Sequence, residues 1–202
     1  MSRVAMSTPI NNILVVCSGN TCRSPVAALF LRALLAKHND GEWDVRSAGY
    51  KPIPGQPIWQ IAHQGIEAAA QRHGLDWDEL LTQVVAHKSR SVRTVIAPQH
   101  PHPFVPSTVL FMEQDRLVPI RDTLRVVLPE MDEPNWVLLN VRDCAYNKWE
   151  ARGFPAEADE PGYDECEREY SRLCTTLARR MAYLSTYPQL LETSSSPFSI
   201  YE

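Results

Sequence analysis

The chain has 202 residues, 44% of them hydrophobic, a formal net charge of −4 at pH 7 and five cysteines. This length suits one α/β core and is short for two domains. The weak negative charge and the absence of a basic stretch argue against a nucleic-acid partner, and no apolar run is long enough to span a membrane. The odd cysteine count and the lack of an apolar leader predict reduced thiols and a cytoplasmic location.

The first predicted strand runs directly into a loop that contains two cysteines. Residues 1–11 are interpreted as a flexible lead-in, and the apolar run Ile13–Val16 predicts a buried strand. The loop reads Cys-Ser-Gly-Asn-Thr-Cys-Arg-Ser-Pro over residues 17–25. Ser24 is a favourable N-cap and Pro25 suits the first helical position, so a helix is predicted to begin here.

The remaining elements alternate as in a parallel α/β sheet. Further strands are predicted at residues 43–46, 109–113 and 136–141, and further helices at residues 58–73 and 166–184. We therefore predict a single α/β domain over residues 12–190, with a four-stranded parallel sheet flanked by helices. A phosphate-binding loop is expected after the first strand, and residues 191–202 are interpreted as a flexible tail.

The spacing of Cys17 and Arg23 in this loop suits a thiolate that attacks a phosphoryl group. Gly19 and Asn20 tolerate left-handed backbone, so the N–H groups of the loop can surround an anion at the start of the helix. Helix N-termini and cationic neighbours favour the thiolate form, and a guanidinium can bind two phosphoryl oxygens at once. The full string between a strand and a helix is far more specific than a bare Cys-x5-Arg pattern.

The string resembles the signature loop of the low-molecular-weight protein tyrosine phosphatases. Three other segments are similar to that family: Ser47–Gly49 after the second strand, the His-x-x-Arg segment at residues 87–90, and the strand at residues 109–113. Relative to the family, residues 97–107 and 141–158 are interpreted as insertions.

The resemblance implies a role for each residue of the loop and for several around it. Cys17 is expected to be the nucleophile, Arg23 to bind the phosphoryl group and stabilise the transition state, and Ser24 to stabilise the thiolate. Substrate-binding residues are expected in the loop and at its rim: Ser18, Gly19, Asn20, Thr21, Cys22, Tyr50 and Tyr163. Structural support for the loop is expected from Ser47 and His87.

The general acid is expected shortly before the last helix. In the family it is an aspartate in an Asp-Pro loop, but this sequence reads Ala-Asp-Glu-Pro over residues 158–161. Either Asp159 is the acid, with one extra residue before Pro161, or Glu160 replaces it with a longer side chain. Asp159 is the preferred assignment, and loss of the acid is a third possibility.

The resemblance implies a cysteine-dependent phosphatase that hydrolyses phosphotyrosine through a phosphocysteine intermediate. A protein arginine phosphatase is the alternative, because Ser18 stands where that branch has a small hydroxyl residue; a phospho-binding regulator with weak turnover is a further one. The expected partner is a phosphorylated protein or peptide, without nucleic acid, membrane or cofactor; oligomeric state stays open. No metal is expected, since His100 and His102 are interpreted as two solvated histidines of a loop and not as metal ligands.

The sequence leaves two roles open for Cys22. In the family a cysteine at this place can form a disulfide with the nucleophile, which would make activity redox-sensitive and protect Cys17 from irreversible oxidation. Alternatively, Cys22 is a small apolar residue that fills space behind the loop.

Overall fold

A computed structural model of the chain describes residues 11–38, 42–97, 104–143, 146, 159–192 and 198–199. The strands are β1 (Asn11–Cys17), β2 (Trp43–Gly49), β3 (Thr108–Phe111), β4 (Asn135–Leu138) and β5 (Phe198–Ser199). The helices are α1 (Arg23–His38), α2 (His63–Arg72), α3 (Trp77–Ala86), α4 (Val92–Ile96), α5 (Leu117–Val127), α6 (Tyr163–Thr186) and α7 (Gln189–Glu192).

The strands form one parallel sheet in the order β2-β1-β3-β4-β5. The predicted four-stranded parallel sheet with flanking helices is confirmed. A short fifth strand, Phe198–Ser199, extends the sheet beside Val137 and Leu138. This strand falls in residues 191–202, the segment interpreted as a flexible tail. Because the strands are parallel, their carboxyl ends meet at one edge of the sheet, and β1 brings Cys17 to that edge.

Side chains of β1 alternate between two apolar layers. Ile13 and Val15 belong to a core with α1, α2 and α6, and Leu14 and Val16 belong to a second core with α4 and α5. All four side chains are fully buried, as expected for a central strand covered on both faces. This packing fixes the end of β1, and hence the cysteine, from both sides of the sheet.

Several element boundaries differ from the sequence predictions. The helix predicted over residues 58–73 begins with the 3-10 turn Gln60–Ala62 and continues as α2. It ends where predicted, because Gly74 adopts a left-handed φ of +61° that few other residues accept. The strand predicted over residues 136–141 is shorter, since β4 ends at Leu138 and the chain then turns through Asn140 with φ of +49°.

Parts of both predicted insertions, residues 98–103, 144–145 and 147–158, lie outside the described residues, as do residues 1–10 of the lead-in. The domain boundaries therefore stay a prediction. Among the helices that the structure describes, none has the length and apolar character needed to cross a membrane.

Candidate active site

The loop between β1 and α1 is held in place by the segment that follows β2. The carbonyl oxygens of Cys17 and Ser18 accept hydrogen bonds from the N–H groups of Tyr50 and Lys51, both at 3.0 Å. Gly49 allows this close approach, because a Cβ atom there would lie 2.8 Å from the Ser18 carbonyl oxygen. The short side chains at the end of β2 therefore support the shape of the loop.

The sulfur of Cys17 lies among hydrogen-bonding groups of the loop. Its Sγ is 3.0 Å from the Ser24 hydroxyl and accepts a hydrogen bond from the Asn20 N–H at 3.2 Å. The Ser24 hydroxyl also accepts from the Asn20 side-chain amide at 3.0 Å and donates to the Ala48 carbonyl at 3.1 Å. Its single proton therefore has two acceptors in reach, the sulfur and the carbonyl.

These contacts revise the predicted N-cap. The helix α1 begins at Arg23, one residue before Ser24, and Pro25 is its third residue. The Ser24 hydroxyl is directed toward Cys17, Asn20 and Ala48, and no described N–H of the first turn donates to it. Ser24 thus lies where the resemblance places it, beside the sulfur.

Asn20 connects the loop to the segment after α3. It has a left-handed φ of +56° and is fully buried, while Gly19 is not among the residues with positive φ. Its side-chain oxygen accepts from the Arg90 N–H at 3.0 Å, and its carbonyl accepts from His87 Nε2 at 2.8 Å. Burial lowers the pKa of His87, and nearby cations, Arg90 first among them, lower it further. Neutral His87 donates this bond through its Nε2–H.

Ser47, expected beside His87, is buried on β2. Both residues line a cleft at the β2 edge of the sheet, and no hydrogen bond between described residues joins their side chains. Ser89 instead hydrogen-bonds into the loop that follows β2: its hydroxyl donates to the Ile53 carbonyl and accepts from the Gln56 N–H at 2.9 Å.

Arg23 is buried between two carboxylates that the sequence analysis did not select. Its Nη1 is 3.0 Å from Glu113 Oε1 and donates to the Val141 carbonyl at 3.1 Å, and its Nε is 3.5 Å from Asp143 Oδ2. Burial alone lowers the pKa of a guanidinium, but here the charges of Cys17, Asp143 and Glu113 outweigh it and raise the pKa of Arg23. Arg23 is therefore a permanent cation whose orientation is fixed.

Asp143 differs from the two carboxylates expected to supply the acid. It is 7% exposed, its Oδ1 accepts from the Tyr146 N–H at 2.8 Å, and burial raises its pKa despite the opposing charge of Arg23. Asp159 and Glu160 are exposed in the turn before α6, and neither lines the cleft that opens above the loop of Cys17.

A cleft of about 830 Å³ opens above the loop. Its floor is formed by Cys17, Ser18, Gly19, Thr21, Cys22 and Arg23, and its acidic lining residues are Glu113, Asp115 and Asp143. Trp59 and Tyr146 also line it; their ring centroids are 5.9 Å apart and their planes differ by 18°. Neither expected rim tyrosine lines the cleft directly. The Tyr50 hydroxyl accepts from Arg116 at 3.2 Å, and Tyr163 is half-buried at the start of α6.

Cys17 and Cys22 are both free thiols. Cys22 is buried, and burial raises the pKa of its thiol, with Cys174 adding to the effect. The disulfide suggested by the resemblance stays a prediction.

Together the parallel sheet, the thiol at the end of β1 and the guanidinium in the following helix define an α/β protein with a candidate phosphate-binding loop. The family model described as low molecular weight phosphotyrosine protein phosphatase matches residues 12–122, more than half of the chain. The chain belongs to this family.

Three curated relatives match part of the chain, and two of them show the extent of the match. Low molecular weight phosphotyrosine protein phosphatase 2 of Drosophila melanogaster is 38% identical over 72 residues, which are 34% of this chain and 40% of the relative. Low molecular weight protein-tyrosine-phosphatase YfkJ of Bacillus subtilis is 36% identical over 78 residues, 38% of this chain and 48% of the relative. The chain thus spans less than half the length of these two relatives. The crystal structure of YfkJ aligns with 90% of this chain at 20% identity and a TM-score of 0.48.

Proposed function

We propose that this chain is a cysteine-dependent phosphatase that hydrolyses phosphotyrosine in proteins or peptides. The observation that carries the proposal is the position of Cys17 Sγ on the floor of the cleft, with the Arg23 side chain lining the same floor. A thiolate there faces an incoming phosphoryl group, and the fixed guanidinium binds two of its oxygens.

In the first step, the Cys17 thiolate attacks phosphorus and forms an S–P bond while the P–O bond to the leaving group breaks. The electron pair of that bond goes to the leaving oxygen, which needs a proton. Asp143 is the best-placed donor, because its burial raises its pKa and it lines the cleft next to Arg23. The approach of a phosphate dianion favours its protonated form further.

In the second step, water attacks the phosphocysteine and the S–P bond breaks. The Asp143 carboxylate, left without its proton by the first step, accepts a proton from that water. The departing sulfur carries a negative charge, which the Ser24 hydroxyl at 3.0 Å and the Asn20 N–H at 3.2 Å stabilise by hydrogen bonds. These groups hold the sulfur in place through both steps.

The aromatic walls favour phosphotyrosine as the substrate. Trp59 and Tyr146 present a pair of rings at the side of the cleft, suited to contact a third ring. The Trp59 ring is also held edge-on by Tyr170, with centroids 5.7 Å apart. Because these rings are fixed by the protein, little side-chain entropy is lost when a substrate ring binds.

Phosphoarginine is the second candidate, supported by different residues of the same cleft. Ser18 lines the floor, and the carboxylates of Asp115, Asp143 and Glu113 line the walls. Of these three, Asp115 is the most exposed and lies 3.4 Å from Arg116. Carboxylates bind a guanidinium well, and Asp115 is the one of these three that neither serves as the acid nor pairs with Arg23.

The test is steady-state turnover, with reductant present, on a phosphotyrosine peptide, the matched phosphoarginine peptide and para-nitrophenyl phosphate. A kcat/KM that is higher for the phosphotyrosine peptide supports the proposal, and the reverse order supports an arginine phosphatase. Binding of the peptides without turnover of any substrate would contradict both and leave a phospho-binding regulator. Cys17→Ser is the control that excludes a contaminating phosphatase.

A further inference from the structure

A second cleft, of about 470 Å³, lies at the β2 edge of the sheet and is separate from the candidate active site. We call it the edge cleft. It is enclosed by α1, β2, α3 and the segment after α3, and its polar lining is strongly basic. The basic lining residues are Arg32, Arg46, His87, Lys88 and Arg90. Among the described residues, no aspartate or glutamate lines it, although the whole chain is negatively charged.

Arg32 carries its charge into this cleft without a carboxylate partner in the part of the chain that the structure describes. Its Nη1 donates to the Val45 carbonyl at 2.8 Å, and its Nε donates to the Gln83 side-chain oxygen at 3.3 Å. Both acceptors are neutral. The Asp44 carboxylate acts on Arg32 only from beyond ion-pair distance and is itself paired with Arg46 at 2.6 Å. A partly buried guanidinium whose direct contacts are neutral oxygens keeps much of its charge uncompensated, and a bound anion would neutralise it.

Lys88 and Arg90 add two more cations at the mouth. Both side chains are exposed, and no described carboxylate lies within 4.0 Å of either; the ion pairs of the described residues involve Arg23, Arg46, Arg116, Arg121 and Arg125. Arg46 differs from Lys88 and Arg90, because its guanidinium is paired with Asp44 at 2.6 Å and lies over the Phe104 ring. Arg32, Lys88 and Arg90 are therefore the cations available to a ligand.

We propose that the edge cleft binds a small polyanion that carries phosphoryl groups. Arg90 supplies a planar fork that matches phosphate oxygens, Arg32 supplies its remaining nitrogen, Nη2, and Lys88 supplies a third positive charge. A diphosphate fits a cleft of this size and brings enough negative charge to balance three cations. This binding site is distinct from the candidate catalytic loop and does not depend on turnover there.

The experiment uses methylenediphosphonate, a diphosphate analogue that cannot be hydrolysed, titrated into the ¹⁵N-labelled protein. Two sets of shifts are expected, one in the catalytic loop and one at Lys88, Arg90 and the Arg32 Nε–H, each with its own midpoint. Arg90→Gln is expected to weaken the second set about tenfold, the usual effect of losing one charge-assisted contact. The first set is expected to stay unchanged, because Arg90 contacts the catalytic loop through its backbone N–H, which the variant keeps. Arg93→Gln is the matched control, since Arg93 is exposed and lies outside the cleft.

His87 gives an independent readout inside the edge cleft. Besides burial, the cations Arg90, Arg32 and Lys88 lower its pKa, and an anion bound among them favours the imidazolium. The pKa of His87 is therefore expected to rise when the diphosphonate saturates the cleft, and to rise much less in Arg90→Gln. Shifts at Arg32 and residues 88–90 that share the midpoint of the catalytic loop and survive in Arg90→Gln would overturn the proposal.

Discussion

Arg23 reaches the floor of the candidate active site with a carboxylate on either side, Glu113 at 3.0 Å and Asp143 at 3.5 Å. This arrangement keeps a cation buried before any substrate arrives. Since a phosphoryl dianion competes with these carboxylates for the guanidinium, their charge affects both substrate binding and proton transfer. Two predictions at the scale of single residues test this arrangement.

Asp143→Asn is predicted to lower kcat by roughly 10²–10⁴-fold on an alkyl or phenyl phosphate, because the leaving oxygen loses its proton donor. The loss is expected to be much smaller with a strongly acidic leaving group. Since an acid must be protonated to donate, activity of the parent chain falls as the pH rises through the raised pKa of Asp143. The measurement is kcat against pH and against leaving-group acidity.

The matched controls for that variant are Asp159→Asn and Glu160→Gln, each expected to change kcat little because both side chains are exposed outside the cleft lining. If Asp159→Asn or Glu160→Gln makes kcat depend steeply on leaving-group acidity while Asp143→Asn leaves kcat as in the parent chain, the acid belongs to the turn before α6.

Arg23→Lys is predicted to impair turnover more than folding. Lysine keeps the charge but cannot bind two phosphoryl oxygens in one plane, so kcat/KM is expected to fall by roughly 10²–10³-fold. The free energy of unfolding is expected to fall by no more than about 2 kcal/mol, the effect of a lost charge-assisted hydrogen bond. Enzyme kinetics and urea unfolding measure the two effects, and a variant that unfolds under mild conditions would contradict this prediction.

At the scale of elements, the strands and helices around the loop follow from local signals in the sequence. Of the two carboxylates beside Arg23, Glu113 could be found in the same way, but Asp143 could not. The apolar run before Cys17 and the period of the last helix identify β1 and α6 directly. Asp143 was missed because its contact with Arg23 spans 120 positions and no proline follows it to complete the family pattern. Glu113 was recoverable, since it directly follows Met112 after β3, and parallel strands end at the same edge of the sheet.

The aromatic residues that line the cleft could not be predicted from the sequence either. Tyr50 and Tyr163 were chosen because they flank predicted site segments in sequence. Trp59 and Tyr146 line the cleft instead, and only the packed structure brings these two rings together. Loop residues far apart in the sequence have no periodic signal that reveals their contact.

The contact between α2 and α6 depends on Gly65. A Cβ atom at this position would lie 2.7 Å from the Ser171 Cα, so Gly65→Ala must separate the two helices. Alanine gains about 1 kcal/mol of helix propensity, but overpacking against backbone costs up to about 3 kcal/mol. We predict a net loss of about 1–2 kcal/mol in the free energy of unfolding, measured with urea.

Gln64→Ala on the same helix is the control for this prediction, since Gln64 is exposed. It is expected to change stability by less than about 0.5 kcal/mol. A Gly65→Ala variant as stable as the control would show that α2 moves away without cost.

At the scale of the whole molecule, partly buried histidines make the fold sensitive to acid. Burial lowers the pKa of His63, His73 and His87 below the ordinary value of 6.5. The unfolded chain therefore takes up protons first, and stability is lost as the pH falls below that value. Asp143, whose pKa burial raises above its ordinary value, acts in the opposite direction, because the folded chain takes up that proton first.

We predict a lower urea midpoint at about pH 5.5 than at about pH 7.5. His63→Gln should reduce this difference, because His63 Nε2 is buried and has no hydrogen-bond partner among the described residues. An equal drop in the variant and the parent chain would assign the acid sensitivity to other groups.

The central claim is that Cys17 forms a covalent phosphocysteine. The most direct measurement is acid quenching of the reduced protein during turnover of para-nitrophenyl phosphate, followed by mass mapping of the peptide that contains the loop. The account predicts one phosphoryl group per chain on Cys17, and loss of both the adduct and turnover in Cys17→Ser. Turnover that persists in Cys17→Ser, or an adduct on another residue, would contradict it.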